Sequence, residues 1–276
     1  MSRTATNGSA ASGSAVRGTT ASSVRAFVAV LGRDVFVTGR ELPSFLAQVL
    51  VQPVALLFIF GKVLGQLGYT QPGYAQILFP GMIALNAFLV ALQNTSFPLV
   101  LDFSYSREIE DRLLAPLPIS WVAVEKMLFG ALRGLVAALL MFPIGLVMLG
   151  EIHWNLSGLP FAALCMVLGS LAGGTVGLTV GAAVPPRRIN IMFAVILAPL
   201  IFTGASQFPW AQLDGLRWFQ ILCAFNPLTY VSEGMRGALL PWVPHMAPWV
   251  CVLALIGACG LFGALGIRFF LRRALD

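Results

Sequence analysis

Six apolar stretches, at about residues 43–64, 77–101, 124–149, 158–184, 189–206 and 247–268, leave this chain few ways to fold. A helix that crosses a bilayer needs about 20 apolar residues, and each stretch approaches or exceeds that length. The charge content agrees. Of 276 residues, 58% are hydrophobic and 10% charged, where a soluble domain carries about a quarter charged. The sequence therefore reads as an all-α membrane protein. It has six transmembrane helices, an N-terminal interfacial amphipathic helix and short external re-entrant helices before the last span.

The formal net charge of +6 invites a nucleic-acid reading. The position of the basic residues argues against it, because they sit beside the spans. If the amino terminus is cytoplasmic, only Lys62, Arg217 and Arg236 fall outside, and the other lysines and arginines lie at the cytoplasmic side. That is the positive-inside bias. It puts both termini in the cytoplasm and makes the chain a multi-pass plasma-membrane protein.

Residues 1–22 are rich in Ser, Thr, Ala and Gly, with Arg3 and Arg17 and no acid. A transit peptide has this flavour, but the low hydrophobicity favours a disordered cytoplasmic tail. Residues 23–276 then form one transmembrane domain. It begins with an amphipathic helix over 23–41, where Val24, Phe27, Val28, Leu31 and Val35 share a face opposite Arg25, Arg33 and Arg40. Such a helix lies in the membrane interface or packs on the protein's cytoplasmic side.

Several chemistries are missing. The only lysines are Lys62 and Lys126, and neither sits in a phosphate-binding loop. His153 and His245 are far apart, and Cys165, Cys223, Cys251 and Cys259 lack metal-like spacing, so no metal site is expected. No catalytic constellation is apparent. No Asp or Glu lies near the middle of a span, which weakens a proton-coupled carrier. Asn94-Thr-Ser96 and Asn155-Leu-Ser157 match the glycosylation pattern, and neither carries weight.

The polar residues that remain are placed suggestively. The first span holds Gln48, Gln52 and Pro53; the second opens at Pro80-Gly81 and carries Asn86, Gln93 and Asn94. Amides in lipid need partners, so they serve either helix–helix hydrogen bonds or a cavity wall. Gly169, Gly173, Gly177 and Gly181 form a small-residue ladder for close helix approach. Lys126 and Arg133 share one face of the third span and are expected to snorkel.

Residues 102–126 are the one sizeable charged connection. Ser106 to Leu114 reads as a short helix, with Arg107–Asp111 and Glu108–Arg112 as i,i+4 pairs. Ile109, Leu113 and Leu117 make a narrow apolar stripe, and Pro116 and Pro118 end the helix. A helix presented to a partner needs such a stripe. Before the last span, Phe202-Thr-Gly-Ala-Ser-Gln-Phe-Pro209, Asn226-Pro-Leu-Thr-Tyr230 and Glu233-Gly-Met-Arg236 form an aromatic, proline-broken segment. It is too polar to span a bilayer and too apolar for an ordinary loop.

Three of these places together resemble the type-2 membrane domains of ABC transporters. They are Phe79-Pro-Gly-Met82, the Ser106–Pro118 segment with its Leu113-Leu114, and the Phe202–Arg236 segment. Glu110-Asp111 replaces the Gly-Thr usual before the leucines. The likeness covers residues 23–270 and is greatest to bacterial drug- and lipid-export permeases.

The resemblance implies six helices with two external re-entrant helices, and a dimer with a second permease copy or a paralogue. It also implies a separate ABC ATP-binding subunit, which would hold the ATP and Mg²⁺. The chain itself is expected to be no enzyme and to carry no cofactor. Coupling to the ATPase falls to Ser106, Arg107, Glu108, Ile109, Glu110, Asp111, Arg112, Leu113 and Leu114. The external re-entrant segment is assigned Phe208, Pro209, Asn226, Pro227, Tyr230, Glu233 and Arg236, and the substrate cavity Asn86, Phe88, Phe193 and Phe202. An exporter of a lipophilic or amphipathic molecule is the leading expectation. A polysaccharide or lipid-linked glycan exporter and a membrane-embedded lipid-modifying enzyme are the rivals.

Overall fold

A computed structural model describes Gly32 and residues 42–69, 73–103, 119–150, 154–185 and 189–275. The interfacial helix expected over 23–41 and the coupling segment Ser106–Leu114 lie outside the described residues. Eight helices of eight or more residues are present among those described, and no strand. They are α1 (Leu42–Leu57), α2 (Tyr74–Leu101), α3 (Ile119–Leu149), α4 (Leu159–Ala183), α5 (Ile189–Thr203), α6 (Arg217–Ala224), α7 (Pro227–Leu239) and α8 (Pro248–Leu275). Past Pro53, α1 widens into a π turn at Phe58–Val63 and ends in Leu64–Gln66.

Five helical stretches are long and apolar enough to cross a membrane: Phe45–Gln66, Tyr74–Leu101, Ser120–Leu149, Leu156–Ala183 and Pro248–Ala274. The stretch expected as a sixth span, 189–206, folds as the shorter α5. Its 15 residues rise about 22 Å at 1.5 Å each, against about 30 Å of hydrocarbon.

The central helix is α2. Its apolar stretch is 83% buried, against 17% for α8. Helices α3, α4 and α7 pack around α2, and α8 lies along α4. Leu78, Met82, Phe88, Met141, Cys165, Val231 and Met235 meet in the main core. A second, smaller core gathers Leu99, Val122, Ala123, Leu178, Ala182 and Phe270, where α2, α4 and α8 end and α3 begins.

Glycines set the helix spacing. A Cβ on Gly173 would sit 2.3 Å from the Phe88 carbonyl oxygen, and one on Gly177 2.5 Å from that of Leu92. The α2 and α4 backbones therefore touch, as small-residue seams allow. Gly181 continues the seam against Ser96, while Gly169 faces Val231 of α7. The ladder thus serves two partner helices.

Three expectations change. Phe79-Pro-Gly-Met82 does not open its span. The helix starts earlier, at Tyr74 behind the left-handed Gly73 (φ 86°), and Pro80 lies inside it. Phe88, expected at the cavity, is fully buried and packs in the main core. Lys126 and Arg133 do not simply snorkel. Lys126 Nζ lies 2.9 Å from Asp102 Oδ2. Arg133 donates to Asn94 Oδ1 at 2.6 Å and stacks on Phe45 and Phe129. Polar groups on α2 offer both cations a nearer partner than solvent.

Candidate functional site

One face of α7 is polar and the other apolar, each at helical spacing. Leu228, Val231, Met235 and Leu239 enter the core. Asn226, Thr229, Ser232, Glu233 and Arg236 turn instead to the chain between α5 and α6. Gly204, Ala205 and Ser206 there are buried and not in regular helix, so their backbone groups need partners inside the protein.

The polar face of α7 supplies partners for the Gly204 and Ala205 carbonyls. Asn226 caps its own helix, accepting from the Leu228 N–H at 3.0 Å, with Pro227 at the favoured first position. Its amide donates back to the Leu200 carbonyl (2.8 Å) and Thr203 Oγ1 (2.9 Å). The Thr229 hydroxyl lies 2.7 Å from the Cys223 carbonyl and 3.1 Å from that of Thr203. Ser232 donates to the Gly204 carbonyl at 2.9 Å and Arg236 to that of Ala205 at 3.0 Å. Ala205 needs this hold, because its φ of 47° is left-handed in a residue other than glycine.

Glu233 and Arg236 form an ion pair with no exposed surface on either side chain. The carboxylate also accepts the Trp210 N–H at 3.0 Å and the Met246 N–H at 3.1 Å. It thereby ties three stretches of chain together. The α2 start joins in from below. Tyr74 donates to the Gln207 carbonyl at 2.8 Å. A Cβ on Gly81 would fall 1.9 Å from the Ser206 carbonyl oxygen, so the Pro80-Gly81 pair admits the buried turn.

Of the other residues expected in this segment, Pro209 precedes the 3₁₀ turn Trp210–Leu216. Phe208 lies 6.0 Å from Phe219 between ring centres. Tyr230 donates to the Ala224 carbonyl at 2.7 Å, fastening α6 to α7.

The expected cavity residues do not converge. Phe202 projects from α5 and is 63% exposed. The side chain of Phe193 lies outside the described residues. Asn86 donates to the Ala137 carbonyl of α3 at 3.1 Å and also borders a notch between α1 and α2. That notch, of about 30 Å³, is further lined by Val49, Gln52, Pro53, Leu89 and Gln93. It admits one or two water-sized groups, and none of the residues around it is charged. The side chains of Gln52 and Gln93 have no hydrogen-bond partner among the described residues. No group of His, Cys, Asp and Glu suited to a metal occurs among those residues either.

The buried turn lies beside helices long and apolar enough to cross a membrane, and comparison identifies the family. The family model for the ABC-2 type transporter matches residues 25–240. The chain belongs to the ABC-2 type transporter family. It is similar to the inner membrane transport permease YadH of Escherichia coli K12, at 27% identity over 70% of this chain and 76% of YadH. It is also similar to nodulation protein J of Sinorhizobium fredii, at 27% identity over 69% of this chain and 72% of that protein. It is thus a multi-pass ABC-2 permease.

Sequence reading missed three participants in this ABC-2 chain, Tyr74, Ser232 and Trp210, and quoted Thr229 only within its motif. Thr229 and Ser232 carried a signal, since with Asn226, Glu233 and Arg236 they recur at steps of three and four. Tyr74 and Trp210 carried none, because each acts across a long sequence gap.

Proposed function

We propose that this chain is the membrane-spanning subunit of an ATP-driven exporter of a lipophilic or amphipathic molecule, powered by a separate ATPase. Family membership carries the reading. In it α5 completes the sixth crossing, and α6 and α7 are the external re-entrant helices. Two copies, or this chain and a paralogue, enclose the path.

The segment Ser106–Leu114 docks on the ATPase, its charged pairs fixing register and its leucines anchoring it. ATP-driven approach of two ATPase subunits moves these segments, and the spans carry the movement outward. The uncharged notch beside Gln52, Asn86 and Gln93 supports a neutral or amphipathic cargo over an ion. An exporter of a polysaccharide or lipid-linked glycan is the second reading.

The test is co-purification of an ATPase subunit, followed by hydrolysis measured with phospholipids, hydrophobic drugs and lipid-linked glycans. Stimulation by one class assigns the cargo. Reversing the charges of Arg107 and Glu110 together should uncouple hydrolysis from export while insertion persists. Unchanged transport in that variant would refute the docking assignment.

A further inference from the structure

The residues that flank the 104–118 connection are held more firmly than a solvated loop requires. Asp102 follows the last residue of α2, and Lys126 lies in the first third of α3. They meet at 2.9 Å with side chains only 10% exposed. Leu99, Val122, Ala123 and Phe270 form an apolar core at the same end of the bundle, and Glu125 is buried next to Lys126 in sequence.

A second tie lies alongside. Phe103, the residue after Asp102, packs on Phe270 of α8 at 5.3 Å between ring centres. The Arg273 guanidinium sits 4.6 Å over the Phe103 ring. Arg273 also donates to the carbonyls of Gly181, Ala182 and Val184 at the end of α4 (3.2, 3.3 and 2.8 Å). These are terminal carbonyls that the helix cannot satisfy and that a cation suits. The point where the chain leaves α2 is therefore fastened to α3, α4 and α8.

A buried ion pair is rarely worth more than apolar residues of the same volume, and its best-attested use is to fix register. Here the register is that of the two helices between which the connection hangs. We propose that Asp102 and Lys126 are a positioning clamp that makes the 104–118 connection move α2 and α3 as one body. This rests on the exporter reading. Without the pair, a push on the connection separates the two helix ends instead of displacing the bundle.

The test uses the full chain assembled with its ATPase subunit in lipid nanodiscs. A reporter cysteine replaces Gly215, an exposed position where an added Cβ meets nothing within 4 Å. The native cysteines are buried or partly buried, so a polar maleimide reads position 215. The parent complex should label at different rates with and without ATP. Lys126→Met and Asp102→Asn should each abolish that difference while hydrolysis and ATPase co-purification continue. The reciprocal double variant, Asp102→Lys with Lys126→Asp, should restore it.

A single variant that keeps the full ATP-dependent difference overturns the clamp. So does a reciprocal double variant no better than the singles, or single variants that merely lose the ATPase. If the parent chain itself captures no ATPase, the exporter reading fails and the clamp falls with it.

Discussion

Replacing Arg236 by Met tests whether the buried turn depends on its ion pair. The substitution keeps an unbranched side chain but removes the guanidinium. Glu233 then stays fully buried with two neutral donors, the N–H groups of Trp210 and Met246. Stranding one charge of a buried pair costs about 3–5 kcal/mol. The Ala205 carbonyl also loses its donor, and an unsatisfied buried acceptor costs about 1–3 kcal/mol. Pairing Arg236→Met with Glu233→Gln removes the stranded charge. The amide oxygen keeps one of the two N–H contacts, so the double variant leaves one N–H and the Ala205 carbonyl unsatisfied, at about 1–3 kcal/mol each, with no stranded charge. The double variant should thus be more stable than Arg236→Met alone. Unfolding by SDS titration in mixed micelles, followed by tryptophan fluorescence with Trp210 beside the site, gives both free energies. An Arg236→Met loss below about 1 kcal/mol would refute the reasoning. So would a double variant at least as damaged as the two singles combined.

Two further outcomes are expected. Gly173→Ala should cost about 1–3 kcal/mol in the same titration, as overpacking does, because its Cβ falls 2.3 Å from a backbone oxygen of α2. Gly263→Ala is the matched control: its Cβ meets only Thr175, at 3.6 Å, and it should be neutral or slightly stabilising. Gln52→Leu with Gln93→Leu should leave basal hydrolysis unchanged and weaken its stimulation by whichever lipid, drug or glycan stimulates the parent complex; undiminished stimulation would remove the notch from the transport path.

What the sequence disclosed follows the range of each interaction. Long apolar runs report helices because the bilayer imposes length on a single segment. The four-residue glycine spacing reports a seam because both features lie on one helix. Contacts between distant segments left no such trace. Nothing in Phe79-Pro-Gly-Met82 announces that Gly81 receives the carbonyl of Ser206. Nothing near Lys126 reveals that Asp102, and not solvent, takes its charge. The burial of Phe88 left no trace either, because an aromatic residue in an apolar helix looks the same facing a cavity or a neighbour. Only its complete burial in the main core shows which.

These long-range contacts have a common member. The buried turn at Ser206 touches α2 at Tyr74 and Gly81, and the Lys126 ion pair holds it at Asp102. Helix α2 itself is 28 residues long, about 42 Å at 1.5 Å per residue, and most of that length is buried. A close-packed helix cannot bend far without opening voids along its neighbours. Displacement at the Asp102 end is therefore delivered to the Ser206 turn largely as translation and tilt. The ladder-breaking prolines Pro80 and Pro98 lie near the two ends of α2, and these are where a bend costs least. On the exporter reading, α2 is a strut hinged near its ends. Its outer hinge lies beside the turn that α7 holds together by side-chain hydrogen bonds.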